Sequence, residues 1–372
     1  MIPYTGEYTG YKENDQSGFT YYSFTPTPLM SGNFYTMDDE LITLLNDTHQ
    51  NLGFLEGIIK YAPNIDSFRE IMLFKECVYS KMIDYSTPSF QDALVILGGG
   101  KGDIISIKNL MLAFEDAACQ GIYTQELNKI CEIALYGEEA KEAIDIRRKQ
   151  IFLSNVKANL KIYNPTAPDA LLPALADIFA FLRNSQEDML IKIPLVHYQF
   201  EMLHPYEKYN GIVGRIMVSQ LLRNIVNEAF SFICLSEFLY WNKNQYFDLL
   251  SSTQRSGGHI RWIKFFVKAI NEAASLSAQL LMQYEDVIAS DERKLSSTTP
   301  LPKSVSVIYE CLKKYPVINV PVAEKRSGLS FNTVSKALLI LERTGIVKQC
   351  GNNGRNRIFE HTALNRLLMD TR

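Results

Sequence analysis

The sequence predicts a mainly helical protein that ends in a small module of helices and strands. Apolar residues recur at spacings of three and four along most of the chain, and strand-like alternation is scarce before residue 300. A polar, Pro-containing stretch then separates residues 305–372 from the rest. The 372 residues are 47% hydrophobic, which is enough to bury more than one core. We therefore expect several domains.

Helical periodicity begins after the acidic residues Asp38, Asp39 and Glu40, which favour a helix N-terminus. The predicted helical segments are 37–57, 65–83, 105–118, 124–135, 137–149, 168–183, 193–203, 211–229 and 258–286. Ahead of the last module only Phe152–Val156 and Asn159–Tyr163 alternate as strands do. Residues 1–34, which are rich in Tyr, Gly, Pro and Thr, are predicted to form an extended arm.

The polar segment 288–304 contains Ser296-Ser297-Thr298-Thr299-Pro300 and is predicted to be a linker. The predicted domains are therefore an N-terminal arm and helical region (1–95), a helical core (96–287), the linker (288–304) and a C-terminal module (305–372).

Charge is distributed unevenly along the chain. The formal net charge is −3, but residues 301–372 carry twelve Lys or Arg against five Asp or Glu, a local balance of +7, which leaves −10 for the first 300 residues. A basic C-terminal module suggests an anionic partner there, whereas the chain as a whole does not have the composition of a uniformly basic nucleic-acid binder.

Cysteine usage and the N-terminus suggest a cytoplasmic protein. The six cysteines are scattered and form no CxxC pair, so we expect reduced thiols, with neither a disulfide framework nor a zinc site. The first residues lack a basic segment followed by an apolar one, so no signal peptide is expected. The apolar run Phe230–Trp241 is interrupted by Ser231, Ser236 and Glu237, which argues against a membrane span.

The segment Leu195–Arg215 is the most informative part of the sequence. It predicts a helix, a polar turn opened by Pro205, and a new helix that starts near Asn210 and Gly211. The N-terminus of a helix exposes N–H groups and carries partial positive charge, so phosphate is a natural ligand there. Arg215 follows one turn later, and His204 stands where a general base would meet a hydroxyl. The alternative is that His204 is only a helix-end residue.

This segment resembles the signature of the Fic family, H-P-F-x-[DE]-G-N-G-R-x-x-R. Fic proteins mostly transfer the AMP part of ATP to a hydroxyl group of a target protein. The resemblance implies that His204 deprotonates the acceptor Ser, Thr or Tyr. It also implies that Asn210 and Gly211 hold the α- and β-phosphates of ATP, and that Arg215, at the second arginine position, holds the γ-phosphate.

Three positions depart from the signature. Lys208 stands where the family has the Asp or Glu that holds Mg²⁺, Tyr209 replaces a glycine, and Ile212 replaces the first arginine. An ammonium group cannot ligate Mg²⁺, although it supplies some of the positive charge that phosphates need, so we assign Lys208 to nucleotide binding and predict no metal ligand. Glu207 is an alternative carboxylate, but adjacent side chains normally point to different sides.

Upstream residues extend the resemblance. Residues 36–57 resemble the N-terminal helical region of longer Fic proteins, and Ser80-Lys81-Met82-Ile83-Asp84-Tyr85 resembles the family's inhibitory pattern [ST]-x-x-x-E-[GN]. This implies that Asp84, with Ser80 at the first position of the pattern, pairs with Arg215 and blocks productive ATP binding. The alternative is that Ser80 and Asp84 only cap or solvate a helix end.

The strand-like residues Phe152–Tyr163 fall where Fic proteins have a β-hairpin flap that holds the target segment by strand addition. The resemblance covers about residues 36–285 and implies a helical Fic core with this small flap.

The C-terminal module has the order helix, helix, helix, strand, strand, which is the winged helix-turn-helix pattern. Ser330 is a good N-cap for the third helix. The residues predicted to contact DNA are Asn332, Thr333, Ser335 and Lys336 on that helix and Arg355 and Arg357 on the wing. Winged helices often bind paired half-sites, so a homodimer is compatible with this module. The alternative is a module for protein docking or dimerisation.

The leading hypothesis is an autoinhibited, Fic-type protein adenylyltransferase with ATP as substrate, an unidentified target protein as acceptor and a DNA-binding tail. The rival is a catalytically degenerate Fic scaffold that acts as a nucleotide-sensing or DNA-binding transcriptional regulator. His204, Asn210 and Arg215 favour the enzyme, whereas Lys208 and Ile212 favour the rival.

Overall fold

The computed structural model describes residues 6–12, 20–116, 123–139, 143–155, 160–223, 232–298, 300–350 and 357–369. The helices are α1 (Asp39–Ile59), α2 (Ile65–Asp84), α3 (Phe90–Leu97), α4 (Ile105–Asp116), α5 (Thr124–Tyr136), α6 (Leu171–Asn184), α7 (Met189–Leu203), α8 (Asn210–Leu221), α9 (Leu235–Trp241), α10 (Lys243–Ser256), α11 (His259–Ser296), α12 (Lys303–Lys314), α13 (Val320–Ser327), α14 (Phe331–Arg343) and α15 (Thr362–Met369). Within the described ranges, no helix is long and apolar enough to cross a membrane.

The strands form three small antiparallel sheets. The first pairs β1 (Gly6–Lys12) with β2 (Thr20–Pro26), and the second pairs β3 (Leu153–Asn155) with β4 (Leu160–Tyr163). The third has the order β5 (Val317–Asn319), β7 (Ile358–His361), β6 (Val347–Cys350). The predicted fold class, mainly helical with a small β-hairpin ahead of the C-terminal module, is confirmed.

The chain folds into two compact units, each assembled from segments that are distant in sequence. The first unit comprises Met1–Gln50, Asn109–Phe230 and Phe238–Asn271. The second unit comprises Asn51–Lys108, Ser231–Glu237 and Glu272–Arg372. The C-terminal residues thus share a unit with α2 and α3.

Helix α7 is the centre of the first unit. Every residue of α7 after Met189 is buried, which is the pattern of a helix surrounded by other elements on all sides. Asp188 caps its N-terminus by accepting a hydrogen bond from the Leu190 N–H at 2.8 Å. Farther along, the Trp262 indole donates to the Pro194 carbonyl at 2.7 Å. The loop that follows α7 is therefore attached to a fixed support.

Gly214 lets α8 approach α7 closely. A Cβ atom at position 214 would lie 2.9 Å from Oε1 of Glu201 and 3.2 Å from Cε1 of His197, both on α7. These distances are shorter than normal van der Waals contacts, so a larger side chain would displace the buried side chains of Glu201 and His197. The packing between α7 and α8 consequently favours glycine at this position.

In the second unit, the C-terminal module contacts α3 through a glycine turn. The Asn319 N–H donates to the Gly98 carbonyl at 2.7 Å, and the Asn319 side-chain amide donates to the Gly99 carbonyl at 3.0 Å. A Cβ at Gly98 would lie 2.3 Å from the Val317 carbonyl oxygen, so only glycine permits this approach.

One N-terminal segment and one central segment differ from prediction. Residues 1–34 were predicted to form an extended arm, but they contain the β1–β2 hairpin, in which Tyr8 and Phe24 pack with ring centroids 5.2 Å apart. The segment 137–149 was predicted to be helical, but it starts with a short 3-10 helix (Gly137–Glu139), and residues 143–149 have no regular structure. Hydrogen bonds from Arg147 to distant carbonyl groups replace the helical ones there.

The predicted end of α11 also needs correction. The helix continues to Ser296, over the first half of the segment predicted to be a linker. Ile288, Asp291 and Leu295 lie at helical spacing and are buried, and Asp291 pairs with the imidazole of His361 at 2.8 Å. Their burial stabilises a helix that the polar composition of the segment did not indicate. Strand β5 and helices α3 and α15 were not predicted.

Replacement of Gly214 by Val should destabilise the first unit by about 1–3 kcal/mol, because the added methyl groups would overlap Glu201 and His197. Gly53, exposed on α1 with no atom within 4 Å of its Cβ position, provides the control. Gly53→Ala should raise stability by about 0.5–1 kcal/mol through helix propensity. Urea unfolding followed by circular dichroism measures both changes, and a Gly214→Val protein as stable as wild type would contradict the close packing.

Candidate active site

The loop between α7 and α8 has unusual backbone geometry at both ends. His204 has φ 46° and Tyr209 has φ 66°, and these are the two residues other than glycine with positive φ in the described part of the chain. Each such residue costs about 1–3 kcal/mol, and the conformation persists only where the surroundings impose it. Tyr209 thus adopts the left-handed conformation at the position where the Fic signature has glycine. The loop must be stabilised by its contacts.

Asn210 closes the loop from the α8 side. Its side-chain oxygen accepts from the Tyr206 N–H at 2.8 Å, and its amide donates to the Tyr206 carbonyl at 2.7 Å. The side chain is buried, so it serves the loop itself. The predicted contact of Asn210 with the α- and β-phosphates remains a prediction. The backbone N–H groups of the first turn of α8, which includes Gly211 and has the positive end of the helix dipole, are further donors for an anion.

Tyr206 anchors the middle of the loop to α5. It is 1% exposed, and its hydroxyl donates to Oδ1 of Asn128 at 2.9 Å. Burial raises the pKa of this phenol well above its usual value, with further contributions from Cys131 and Asp145, so the hydroxyl stays protonated and acts as a donor. The Cys131 thiol, 3.9 Å from the Lys208 carbonyl, makes a second contact between α5 and the loop.

Arg147 holds the other side of the loop, and sequence reasoning missed it. Its guanidinium donates to the carbonyls of His204 (Nε, 2.7 Å) and Leu203 (Nη2, 3.1 Å), and its backbone N–H donates to the Pro205 carbonyl at 2.9 Å. The residue is only 3% exposed. Nothing in the sequence around Arg147 and Arg148 distinguishes the buried arginine from its neighbour, whose side chain is 89% exposed.

The imidazole of His204 has a defined tautomer. Its Nδ1 is hydrogen-bonded to the backbone carbonyl of Glu201. A carbonyl oxygen only accepts, so Nδ1 carries the proton, and the lone pair of the neutral ring lies on Nε2. The ring is half-buried at the C-terminal end of α7. His204 is therefore prepared to accept a proton at Nε2, as a general base must.

Arg215 is a buried residue of α8, close to His197 of α7. It is 2% exposed, and its charge adds to the effect of burial in lowering the pKa of His197 to about 3. His197 bonds the Tyr246 hydroxyl at 2.8 Å and stays neutral. The backbone carbonyl of Glu201 bonds His204, and the Glu201 carboxylate lies close to Gly214 of α8.

The structure also places the remaining residues predicted to bind nucleotide or to inhibit its binding. Lys208 is exposed on the loop. Ser80 is fully buried on α2, and Asp84 is the exposed last residue of the same helix, in the second unit. The predicted pairing of Asp84 with Arg215 remains a prediction. Over the described residues, no group of three or more His, Cys, Asp or Glu side chains could hold a metal ion.

The predicted DNA-binding residues differ in their exposure. Asn332 and Lys336 are exposed one turn apart on α14. The Thr333 hydroxyl is engaged with Ser330, 2.9 Å away in the helix cap, and Ser335 is only half-exposed. Arg357 is half-exposed, with its guanidinium 5.7 Å from the Phe359 ring centroid. Arg355 lies outside the described residues.

The low pKa of His197 can be observed directly. The pKa of His197 in the folded state lies below its value of about 6.5 in the unfolded chain. As the pH falls below about 6.5, the unfolded chain therefore binds a proton at His197 and the folded protein does not. The contribution of His197 to the free energy of unfolding consequently declines from about pH 6.5 towards pH 3. We expect the ring Cε1 proton, assigned by its loss in His197→Gln, to show no titration between about pH 8 and 5. A midpoint near 6.5 in the folded protein would contradict the burial.

Comparison with known proteins gives consistent findings. Residues 111–222 match the Fic/DOC family, and this range includes α5 to α8 with the loop described above. The fold resembles that of a Fic family protein from Desulfovibrio desulfuricans G20, with a TM-score of 0.55 and 15% identity over 88% of this chain and 97% of that one. It also resembles Fic-1 from C. elegans, with a TM-score of 0.50 and 17% identity over 64% of this chain and 70% of that one.

At these identities the two structures support the fold alone, whereas the sequence match identifies the domain. Residues 111–222 of this chain are a Fic/DOC family domain.

Proposed function

We propose that this protein is a protein adenylyltransferase that transfers AMP from ATP to a hydroxyl group of a target protein. The observation that carries the proposal is the arrangement of His204: its Nδ1 proton is held by the Glu201 carbonyl, so that Nε2 is the basic atom, and it stands a few residues before the N-terminus of α8. Members of the family typically act as transferases on protein targets, and they use ATP as substrate.

In the proposed reaction the acceptor hydroxyl attacks the α-phosphorus of ATP while His204 Nε2 takes its proton. A bond forms between the hydroxyl oxygen and the α-phosphorus, the bond from that phosphorus to the bridging oxygen breaks, and pyrophosphate leaves with the electron pair. The backbone N–H groups at Gly211 and its neighbours, with Arg215, bind the phosphates. A target segment adds to the β3–β4 hairpin as a further strand.

The loop residues do not fit the metal ion that the family uses. Lys208 occupies the position of the acidic ligand and is exposed, and an ammonium group repels a divalent cation. No step of the proposed reaction uses a metal ion, and Lys208 supplies positive charge towards the nucleotide phosphates.

A second candidate function is a catalytically degenerate Fic scaffold that senses a nucleotide or regulates transcription. Lys208, the left-handed Tyr209 and the buried Ile212 favour it, because each departs from a signature position. The two functions differ in whether AMP is transferred covalently.

We further propose that Asp84 restrains transfer and that the C-terminal module binds DNA. Helices α12 to α14 with the sheet β5-β7-β6 are compatible with a winged helix, in which α14 would enter the major groove. Asn332 and Lys336 present a polar and a cationic side chain on that helix.

Asp84→Gly should release the restraint and increase label transfer from ATP labelled at the α-phosphate to lysate proteins or to the protein itself. Adding His204→Ala in that background should lower the transfer rate by about 10²-fold or more, because the base is lost. Asp116→Gly, at the exposed last residue of α4, provides a matched control and should leave transfer at the wild-type level. A folded Asp84→Gly protein that transfers no label with Mg²⁺, with Mn²⁺ or without metal would favour the scaffold instead.

The full-length protein should retard random-sequence duplex DNA in a mobility-shift assay, and raising salt from about 50 to 200 mM should weaken the shift steeply as counterions are released. Lys336→Glu should weaken binding about 10-fold or more. Lys303→Glu, an exposed lysine at the start of α12, should change it by less than about threefold. Equal effects of the two substitutions would rule out α14 as the contact helix.

A further inference from the structure

We propose that Arg147 is a positioning residue for the transfer reaction: its guanidinium fixes the orientation of His204 and ties both ends of the β3–β4 hairpin to the loop that carries this histidine. The inference rests on the proposed function, in which His204 is the base and the hairpin receives the target segment. The inference adds to the proposed mechanism a residue that contacts neither ATP nor the target protein.

The first part of the argument concerns the end of α7. The carbonyl groups in the last turn of a helix have no partners within the helix and carry partial negative charge. Arg147 donates to Leu203 and His204 at this end, and its backbone N–H donates to Pro205. The guanidinium and the backbone N–H of the buried Arg147 thereby satisfy these carbonyl groups and hold His204 at φ 46°. That backbone conformation fixes the direction of the Cα–Cβ bond of His204, and the bond from Nδ1 to the Glu201 carbonyl then orients the imidazole.

The second part concerns the hairpin. The same guanidinium donates through Nη1 to the Lys149 carbonyl at 3.0 Å and through Nη2 to the Thr166 carbonyl. Lys149 precedes β3 and Thr166 follows β4, so one side chain joins both ends of the hairpin to His204. The Gln150 amide, which donates to the Pro165 carbonyl at 2.9 Å, reinforces the pairing of the two ends. A segment docked on the hairpin is therefore held at a fixed distance from the base.

Only arginine has the geometry for this task. The guanidinium is planar and presents five N–H groups in a fork, so it can bind several carbonyl oxygens in fixed directions. A lysine ammonium carries the same charge but is a compact group on a flexible stem. Arg147→Lys therefore keeps the charge while it removes most of the directional contacts.

The first test determines the tautomer of His204 by NMR, and it does not require that the protein transfer AMP. In protein labelled with ¹⁵N-histidine, long-range ¹H–¹⁵N spectra should show His204, assigned by its loss in His204→Ala, with Nδ1 protonated. In Arg147→Lys we expect this signature to shift towards the mixture of tautomers of an unconstrained imidazole. Arg148→Gln removes the neighbouring arginine, whose side chain is 89% exposed, and should leave the signature unchanged.

The kinetic test separates positioning from binding. In the Asp84→Gly background, Arg147→Lys should lower kcat by about 10-fold or more and change KM for ATP by less than about threefold, because small displacements of a reacting group cost mainly in kcat. A tautomer change confined to Arg147→Lys supports the positioning role even where no variant transfers AMP, and in that case only the proposed function fails. An unchanged tautomer in folded Arg147→Lys overturns the inference.

If Arg147→Lys does not fold, the wild-type protein still decides the matter. The Nε–H of a buried, hydrogen-bonded Arg147 should exchange with solvent at least about 100-fold more slowly than that of Arg148. Equal exchange rates would show that the guanidinium does not hold the His204 carbonyl, and they would overturn the inference.

Discussion

The candidate site depends on one constraint, which is that a short loop between two buried helices must keep positive φ at both ends. His204 and Tyr209 occupy these positions, and neither has the conformational freedom of glycine. The loop is stable because its backbone groups are bonded by the side chains of Arg147 and Asn210, while Tyr206 anchors it to α5. Each of the three is buried, so water competes little for these bonds.

This constraint explains how the loop keeps its shape although its sequence departs from the Fic signature. Tyr209 adopts a left-handed conformation at the position where the signature has glycine, and Ile212 is buried on α8 in place of an arginine. Lys208 is the one replacement of the three that is exposed to solvent and charged, so it changes the electrostatics of the loop more than its structure. What the departures alter is the charge around the loop between α7 and α8.

Much of the fold could be predicted from the sequence, because the spacing of apolar residues indicates amphipathic helices such as α2 and α14. The loop residues were identified through their resemblance to a known signature. Arg147 could not be found in this way, since its guanidinium partners at the loop are backbone carbonyls 56 and 57 residues away and carbonyls leave no sequence signal. The far end of α11 was missed for a similar reason: the burial of Asp291 depends on His361, which is distant in the chain.

A crystal structure of Asp84→Gly with a non-hydrolysable ATP analogue tests the central claim most directly. The account predicts that the phosphates lie within hydrogen-bond distance of the backbone N–H groups at the start of α8, with the side chains of His204 and Arg215 facing the same cavity. Phosphates bound elsewhere, or His204 and Arg215 pointing into separate environments, would contradict it.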